Sequence, residues 1–358
     1  MSARTTHKAL VLAAAGASSY SMTEVPTYTP GPDEVVVKIE AVGLNPIDWK
    51  LAYQYSGMIP FYPYISGHDG AGTVVAVGSE VATLAKGDSV IVQGDYMNKR
   101  ATFQQFNVVS AALTAKMPSN ISFDEAATIP LGLLTVLTAM YHNNPNAKGR
   151  SLMLPPPWVP EGATMFAGKP IFILGGASSV GQYAIQVAKL AGFSPIITTA
   201  SPRNRELLRS LGATHVLDRA LPDAAVLAEL PRLTSGRPIP LVYDAISLPE
   251  TQTLAYRALA DGGGLVVVLP SEIPDGLRKA GDGKTVAASY GSPYLAEHRA
   301  FGEEVYAWLG EWLETGVIKP NKVEVLAGGL AGVAVGLARM RENKVSAVKL
   351  VVHPQETP

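Results

Sequence analysis

The chain of 358 residues contains no cysteine. This removes disulfide bridges, thiol nucleophiles and cysteine-ligated metals together, and it suits a reducing compartment. Charge is sparse too. Asp, Glu, Lys and Arg make up 16% of the chain, and the net charge is -1. Such a balance argues against bulk attraction to nucleic acid or to an anionic membrane, so neither is expected as a partner, although a local basic pocket stays open. No run reaches the roughly 18 uninterrupted apolar residues of a membrane span, and the N-terminus lacks a signal-peptide core. A cytoplasmic location is the expectation. Internal repeats and low-complexity tracts are absent. Apolar residues are abundant at 47%, enough for a large core, and this length predicts two domains.

The chain is organised around residues 171–192, IFILGGASSVGQYAIQVAKLAG. Ile171 to Leu174 read as a buried strand, and a tight turn runs from Gly175 to Gly181. Tyr183, Ile185, Val187, Ala188 and Leu190 then recur at helical spacing up to Gly192. A strand, a glycine turn and a helix start make an anion cradle, because turn N–H groups and the positive end of the helix dipole point to one place. Small residues let a pyrophosphate approach the main chain. The turn is not a strict G-x-G-x-x-G, so an ordinary strand-to-helix turn is the competing reading. The pattern downstream favours the cradle. Strands at 193–199, 215–217, 240–243 and 264–269 alternate with helices at 203–211, 223–234 and 251–259, with a sixth strand at 284–290. That alternation predicts a doubly wound parallel sheet.

Upstream, strands are expected at 7–12, 34–42, 73–77, 89–92 and 101–109, with turns at close spacing. This pattern predicts a compact β-barrel-like domain. A turn-rich patch comes after the first strand, and residues 51–64 read as an aromatic, proline-bearing loop. Residues 124–141 read as one helix with Pro130 near its start. Residues 143–169, with NNP and LPPPWVP, read as a long loop. At the C-terminal end, an amphipathic helix spans 297–315, with aromatic residues Phe301, Trp308 and Trp312 on its core stripe. A β-α-β piece over 323–352 is expected to return to the first domain.

These motifs together carry a family resemblance. EAVGLNP-x-D, GHDGAGTVVAVG, KGDSVIV, GGASSVGQYAIQVAKLAG and the closing KVSAVKLVV resemble the medium-chain dehydrogenase/reductase superfamily nearly end to end. The SSVG turn, the SPRN segment and the proline-rich loop resemble the fungal trans-acting enoyl reductases and the ToxD-like oxidoreductases. The resemblance implies a GroES-like β-barrel catalytic domain at 1–128 and 316–358, and a Rossmann nucleotide-binding domain at 129–315. It departs from the zinc alcohol dehydrogenases. Asn45 stands where their first ligand Cys would be, Asp48 is kept, and His68-Asp69 replaces His-Glu. One lone histidine cannot build a zinc site, so no metal is expected and His68 reads as a hydrogen-bonded structural residue.

An NAD enzyme places Asp or Glu after the second strand, but here Ser201, Arg203 and Arg205 stand there, which suits a 2′-phosphate and hence NADPH. The resemblance implies cofactor contacts from Asp48, Lys50, Thr135, Gly176, Ser178, Ser179, Val180, Gly181, Ser201, Arg203, Asn204, Arg219, Leu269, Val345 and Ser346. It also implies substrate contacts from Tyr64, Leu131 and Leu133. The expected substrate is a small-molecule or acyl-carrier-bound enoyl compound, held in a cleft walled by 53–64, 129–138 and 265–270. A homodimer is one of two assemblies found among related enzymes. The expected reaction is NADPH-dependent, zinc-free hydride addition to the β-carbon of an activated C=C bond. An NADPH:quinone-type oxidoreductase and a non-catalytic nucleotide-binding relative are the alternatives. Lys50 has two candidate jobs. It could hold the cofactor's ribose or phosphates, or donate to the enolate that hydride addition creates. The competing reading is a solvated surface lysine. Tyr53 is the second candidate proton donor.

Overall fold

In the computed structural model of the chain, residues 5–16, 19–144, 146 and 149–358 are described. Contacts divide the chain into two units. The first contains Met1–Leu131, Gly302–Gly316 and Pro320–Pro358, and the second contains Gly132–Phe301 and Val317–Lys319. The helix Arg299–Glu314 therefore groups mostly with the first unit, whereas the sequence boundaries put it in the second.

The first unit is built on the strand Glu34–Gly43, in which only Lys38 and Glu40 are not fully buried. It pairs antiparallel with Asp69–Val77, Phe106–Ser110 and Lys349–Val352. Register shifts at Val36/Val37 and Ile39/Ala41 bend this strand, as β-bulges do. Ser89–Gln93 and Thr114–Lys116 extend the sheet on one side, and Val323–Val325 pairs in parallel with Lys349–Val352 on the other. The C-terminal β-α-β piece thus returns to the first sheet, as its lack of a sheet of its own requires. A smaller antiparallel sheet joins Thr6–Leu12 to Ser21–Pro26 and Tyr64–Ile65. Val35, Val37, Ile39, Phe103, Leu330 and Leu350 belong to the core of this unit.

The second unit carries one six-stranded, wholly parallel sheet. Its order is His215–Asp218, Ile196–Ala200, Ile171–Leu174, Leu241–Asp244, Gly264–Val267, Thr285–Ala288. The chain winds outward one way from Ile171–Leu174 and then the other. This is the doubly wound arrangement, and its switch point lies between Ile171–Leu174 and Leu241–Asp244.

Several local expectations change. Residues 124–141 form two helices, Phe123–Ala126 and Pro130–Tyr141. Proline has no N–H for the ladder and suits a first helical position, so Pro130 opens a new helix rather than riding within one. The stretch 123–141 is apolar and long enough to cross a membrane by composition, yet 72% of its most apolar window is buried inside the fold. Of residues 101–109, only the part from Phe106 onward is a strand. Upstream of it, Thr102 and Phe103 N–H groups donate to the carbonyls of Gly67 and Ser66, and Gln105 N–H donates to that of Lys8. Those bonds lead to other segments, so no regular ladder forms there. Ser21–Pro26 is a strand within the expected turn patch, with no residue buried and therefore no apolar face to read. The long loop contains a short helix, Pro160–Met165. Residues 145, 147 and 148 of that loop lie outside the described residues.

The C-terminal end is pinned by His353, whose Nε2 and Nδ1 lie 2.7 Å from Asp124 Oδ1 and 2.9 Å from Glu356 Oε1. Burial alone would depress this imidazole, but the hydrogen bonds that it donates to Glu356 and Asp124 hold it above its ordinary value. A raised folded-state pKa gives stability that is present below the unfolded value near 6.5 and lost as pH rises through the folded value. His353→Gln is therefore expected to lower the unfolding free energy at pH 6, by no more than about 1 kcal/mol for so exposed a pair. The gap to wild type should shrink by pH 9, and a gap that is constant with pH would contradict this.

Candidate active site

In the second unit, the strand Ile171–Leu174 delivers the chain into the turn, and the helix Ser179–Leu190 starts immediately after it. The Ser178 hydroxyl caps that helix by accepting from Gly181 N–H at 3.0 Å. Gly175 adopts φ +74°, in the left-handed region that favours glycine. A Cβ on Gly176 would lie 2.2 Å from Thr198 Oγ1, and one on Gly181 would lie 2.3 Å from the Gly175 carbonyl oxygen. The turn therefore keeps its tight path only with glycine at these places. The N–H groups of Ala177 and Val180 have no partner among the described residues, and both residues are partly exposed. Free donors at a helix start are what a pyrophosphate needs.

The next strand, Ile196–Ala200, ends at Ser201, followed by a single helical turn at Pro202–Asn204 and the helix Arg205–Leu211. Arg203 and Arg205 are exposed, and neither has an ion-pair partner among the described residues. Arg219 N–H donates to the Ala200 carbonyl at 3.1 Å, which brings a third unpaired arginine to the same strand end. Asn204 is buried. Leu269 lies just past the strand Gly264–Val267 and is partly exposed. The Thr135 carbonyl accepts from Ser289 Oγ at 2.6 Å. The free N–H groups of the turn fit the pyrophosphate of a dinucleotide.

In the first unit, Lys50 and Tyr53 stand on a helix that residue patterning overlooked, Pro46–Tyr53. Asn45 precedes it, Pro46 opens it, and the Asp48 carboxylate reaches back to Asn45 N–H at 2.7 Å. Asn-Pro-x-Asp is a legible helix start, since the acid at the third helical position satisfies an orphan N–H. Asp48 is fully buried. Its other oxygen accepts from His68 Nδ1 at 3.0 Å, so the side chain serves to hold the helix start. Lys50 is half-buried, with its ammonium 5.7 Å from the Trp49 ring centre, and burial depresses its pKa. Tyr53 is 47% exposed, with the Arg341 guanidinium 4.4 Å from its ring centre.

Of the expected substrate residues, Tyr64 and Leu133 are fully buried, whereas Leu131 is partly exposed. Burial drives the Tyr64 phenol strongly upward, and its hydroxyl has no partner among the described residues. Val345 packs against the core of the first unit, and Ser346 is exposed beside it.

Sequence and structure comparisons identify the family and the fold. Residues 31–119 match the alcohol dehydrogenase GroES-like domain, and residues 179–272 match the zinc-binding dehydrogenase family. The enoyl reductase component of lovastatin nonaketide synthase from Aspergillus terreus is 33% identical over 89% of each chain. A trans-enoyl reductase from Gibberella fujikuroi is 30% identical over 92% of this chain and 93% of its own. This chain belongs to the fungal trans-enoyl reductase family. Among solved structures, the CurK enoyl reductase superposes with a TM-score of 0.76 at 23% identity, over 98% of this chain and 99% of its own. A Pseudomonas syringae quinone oxidoreductase gives 0.75 at 25% identity, over 96% and 99%.

Although a zinc-binding family matches this trans-enoyl reductase, the donors in the chain do not fit zinc. Asn45 Oδ1 accepts from the Lys349 ammonium at 2.6 Å, and Asn45 Nδ2 donates to Asp69 Oδ2 at 2.8 Å. Lys349 also donates to Asp69 Oδ2 at 2.7 Å, and Asp69 Oδ1 accepts from Leu131 N–H at 2.6 Å. A buried ammonium already supplies the positive charge here. Among the described residues, no group of three or more His, Asp or Glu side chains is placed to hold a metal.

Lys349 is the site residue that residue patterning missed. It sits in KVSAVKLVV like any strand-end lysine, and only folding brings it to Asp69. Removing one member of a buried pair typically costs about 3–5 kcal/mol, because the other charge stays buried and unpaired. Lys349→Met should lower the stability of the trans-enoyl reductase by that much in urea denaturation, and Lys349→Arg should recover part of the loss. A Met variant as stable as wild type would show that the pair does not hold the fold.

Proposed function

We propose that the protein is an NADPH-dependent reductase of activated C=C bonds, acting on an enoyl thioester or enone in the cytoplasm. The observation that carries this reading is the free-donor turn beside the unpaired arginines Arg203, Arg205 and Arg219, on a chain whose relatives are named enoyl reductases. The reduced nicotinamide, when bound, supplies the hydride that reaches the β-carbon, and a proton at the α-carbon completes the saturated product. In this reading, Ser178, Gly181 and the N–H groups of Ala177 and Val180 receive the pyrophosphate. Ser201 and Arg203 take the 2′-phosphate, which a carboxylate at that position would repel. Arg219 and Arg205 add positive charge at the same strand end.

In this reading, Lys50 offers an ammonium hydrogen bond to the developing enolate oxygen, in place of a Lewis-acidic metal. Its support is its position. The ammonium has no carboxylate partner among the described residues and stands half-buried, where a hydrogen bond to an anion strengthens. Tyr53, one helical turn on, is the second candidate. A quinone acceptor is the alternative, favoured by the likeness to the Pseudomonas syringae quinone oxidoreductase. Steady-state NADPH oxidation against enoyl thioesters, enones and quinones separates the two, and turnover of quinones alone would sink the enoyl reading.

Lys50→Met should lower turnover of an active enoyl thioester about a hundred-fold. Wild-type turnover should fall on the alkaline side, because the charged form is needed and burial brings its loss below the ordinary lysine range. That limb should be missing in Lys50→Met. A raised Michaelis constant for NADPH with unchanged turnover would instead make Lys50 a cofactor anchor. Arg203→Ala should weaken NADPH binding roughly ten- to a hundred-fold while leaving NADH little changed, the size of one lost charge-assisted contact. An unaltered NADPH/NADH preference would remove Arg203 from the phosphate site.

A further inference from the structure

The helices Pro46–Tyr53 and Gly332–Arg341 pack against each other in the first unit. Around this contact, the basic residues divide into two kinds. Arg339 is spent on Glu324, with hydrogen bonds of 2.6 and 3.0 Å, and Lys344 is spent on Glu342 at 2.7 Å. Arg341 is not. It is exposed, it makes no ion pair or side-chain hydrogen bond among the described residues, and it lies over the face of Tyr53 at 4.4 Å. Its nearest acid in sequence, Glu342, is the one taken by Lys344. The carboxylate of Asp48, on the facing helix, is turned inward to Asn45 and His68. Lys50, on that same helix, is likewise unpaired. The solvent side of this helix pair therefore presents an exposed guanidinium, without a hydrogen-bond or ion-pair contact among the described residues, over an exposed tyrosine.

A guanidinium stacked on an aromatic face keeps its N–H donors free at the edge, and the stack holds its plane in place before any ligand arrives. That arrangement suits a phosphate, whose oxygens match the paired donors of arginine. Enoyl thioesters are carried in cells on a phosphopantetheine arm, either within coenzyme A or on a carrier protein. Both sources place one phosphate at a fixed remove from the thioester. We infer that Arg341, stacked on Tyr53, is a binding site for the phosphate of the thioester carrier arm. This rests on the enoyl-thioester reading and extends it from the reacting group to its carrier.

The test compares crotonyl-phosphopantetheine with crotonyl-pantetheine, which differ only in the phosphate. In the wild type, kcat/KM should favour the phosphorylated thioester about ten-fold, the size of one charge-assisted contact. In Arg341→Ala, this ratio should fall to about one, and in Arg341→Lys it should be intermediate. The same ratio in Arg341→Ala as in wild type overturns the site. Crotonyl-coenzyme A and a crotonyl-loaded carrier protein should both lose by a similar factor. A loss confined to coenzyme A would mean that Arg341 reads the nucleotide, and a loss confined to the carrier would mean that it reads the protein surface; either overturns the inference. A raised Michaelis constant for NADPH in Arg341→Ala, with the thioester ratio intact, does so as well. If no thioester is reduced, the enoyl reading has failed. Titration calorimetry with phosphopantetheine alone then still decides the site, by weaker binding to Arg341→Ala or by equal binding to both proteins.

Discussion

The first unit depends on a single buried ammonium. Lys349 is 3% exposed and donates to both Asn45 and Asp69. Asp69 in turn accepts from Asn45 Nδ2 and from Leu131 N–H. One charge pair thus ties the C-terminal strand to the strand Asp69–Val77, to the cap of the helix bearing Lys50, and to the start of Pro130–Tyr141. Such a pair is costly to desolvate and holds only because every donor and acceptor in it is matched. The backbone shows how tightly it is packed. A Cβ on Gly43 would lie 2.1 Å from the Ala127 carbonyl oxygen and 3.0 Å from Lys349 Cε. This corner is organised by an ammonium, an amide and a carboxylate, those of Lys349, Asn45 and Asp69.

The second unit rests on backbone geometry rather than on charge. Close approaches at Gly176 and Gly181 fix the turn, and the strand beyond the switch point ends in a comparable device. Asp244 is fully buried, and burial pushes its carboxyl upward against the hydrogen bonds that it accepts from Ser247 and Ile246 N–H and the Thr251 hydroxyl. Ser247 is held at φ +59°, and its hydroxyl accepts from Val268 N–H at 2.8 Å. The ends of neighbouring strands are thereby cross-braced at the edge where a doubly wound sheet binds its ligand.

Much of this was readable in the residues. Apolar runs of strand length separated by amphipathic helices define the parallel sheet, because burial on both faces makes each strand a continuous apolar run while the helices keep their one-sided stripe. The glycine turn and the arginines past the second strand were legible for the same reason, since the chemistry of each is local. The helix Pro46–Tyr53 was also written in the chain, as Asn-Pro-x-Asp, yet its weak amphipathic pattern hid it. Ser21–Pro26 carries no apolar face at all and gave no signal.

What the sequence alone determined is therefore the set of local choices: the doubly wound sheet, the glycine turn, the missing thiolate donors and the family. Each follows from neighbours within a turn, a strand or a helix. Tertiary structure alone decided which distant charges meet. Lys349 lies 280 positions from Asp69, and Arg341 is far in sequence from Tyr53. An isolated lysine or arginine carries no mark of whether it will be buried on a carboxylate, stacked on an aromatic ring or left in water. That depends on where the sheet and the helix pair bring the backbone, and on the cost of leaving a buried charge unmatched.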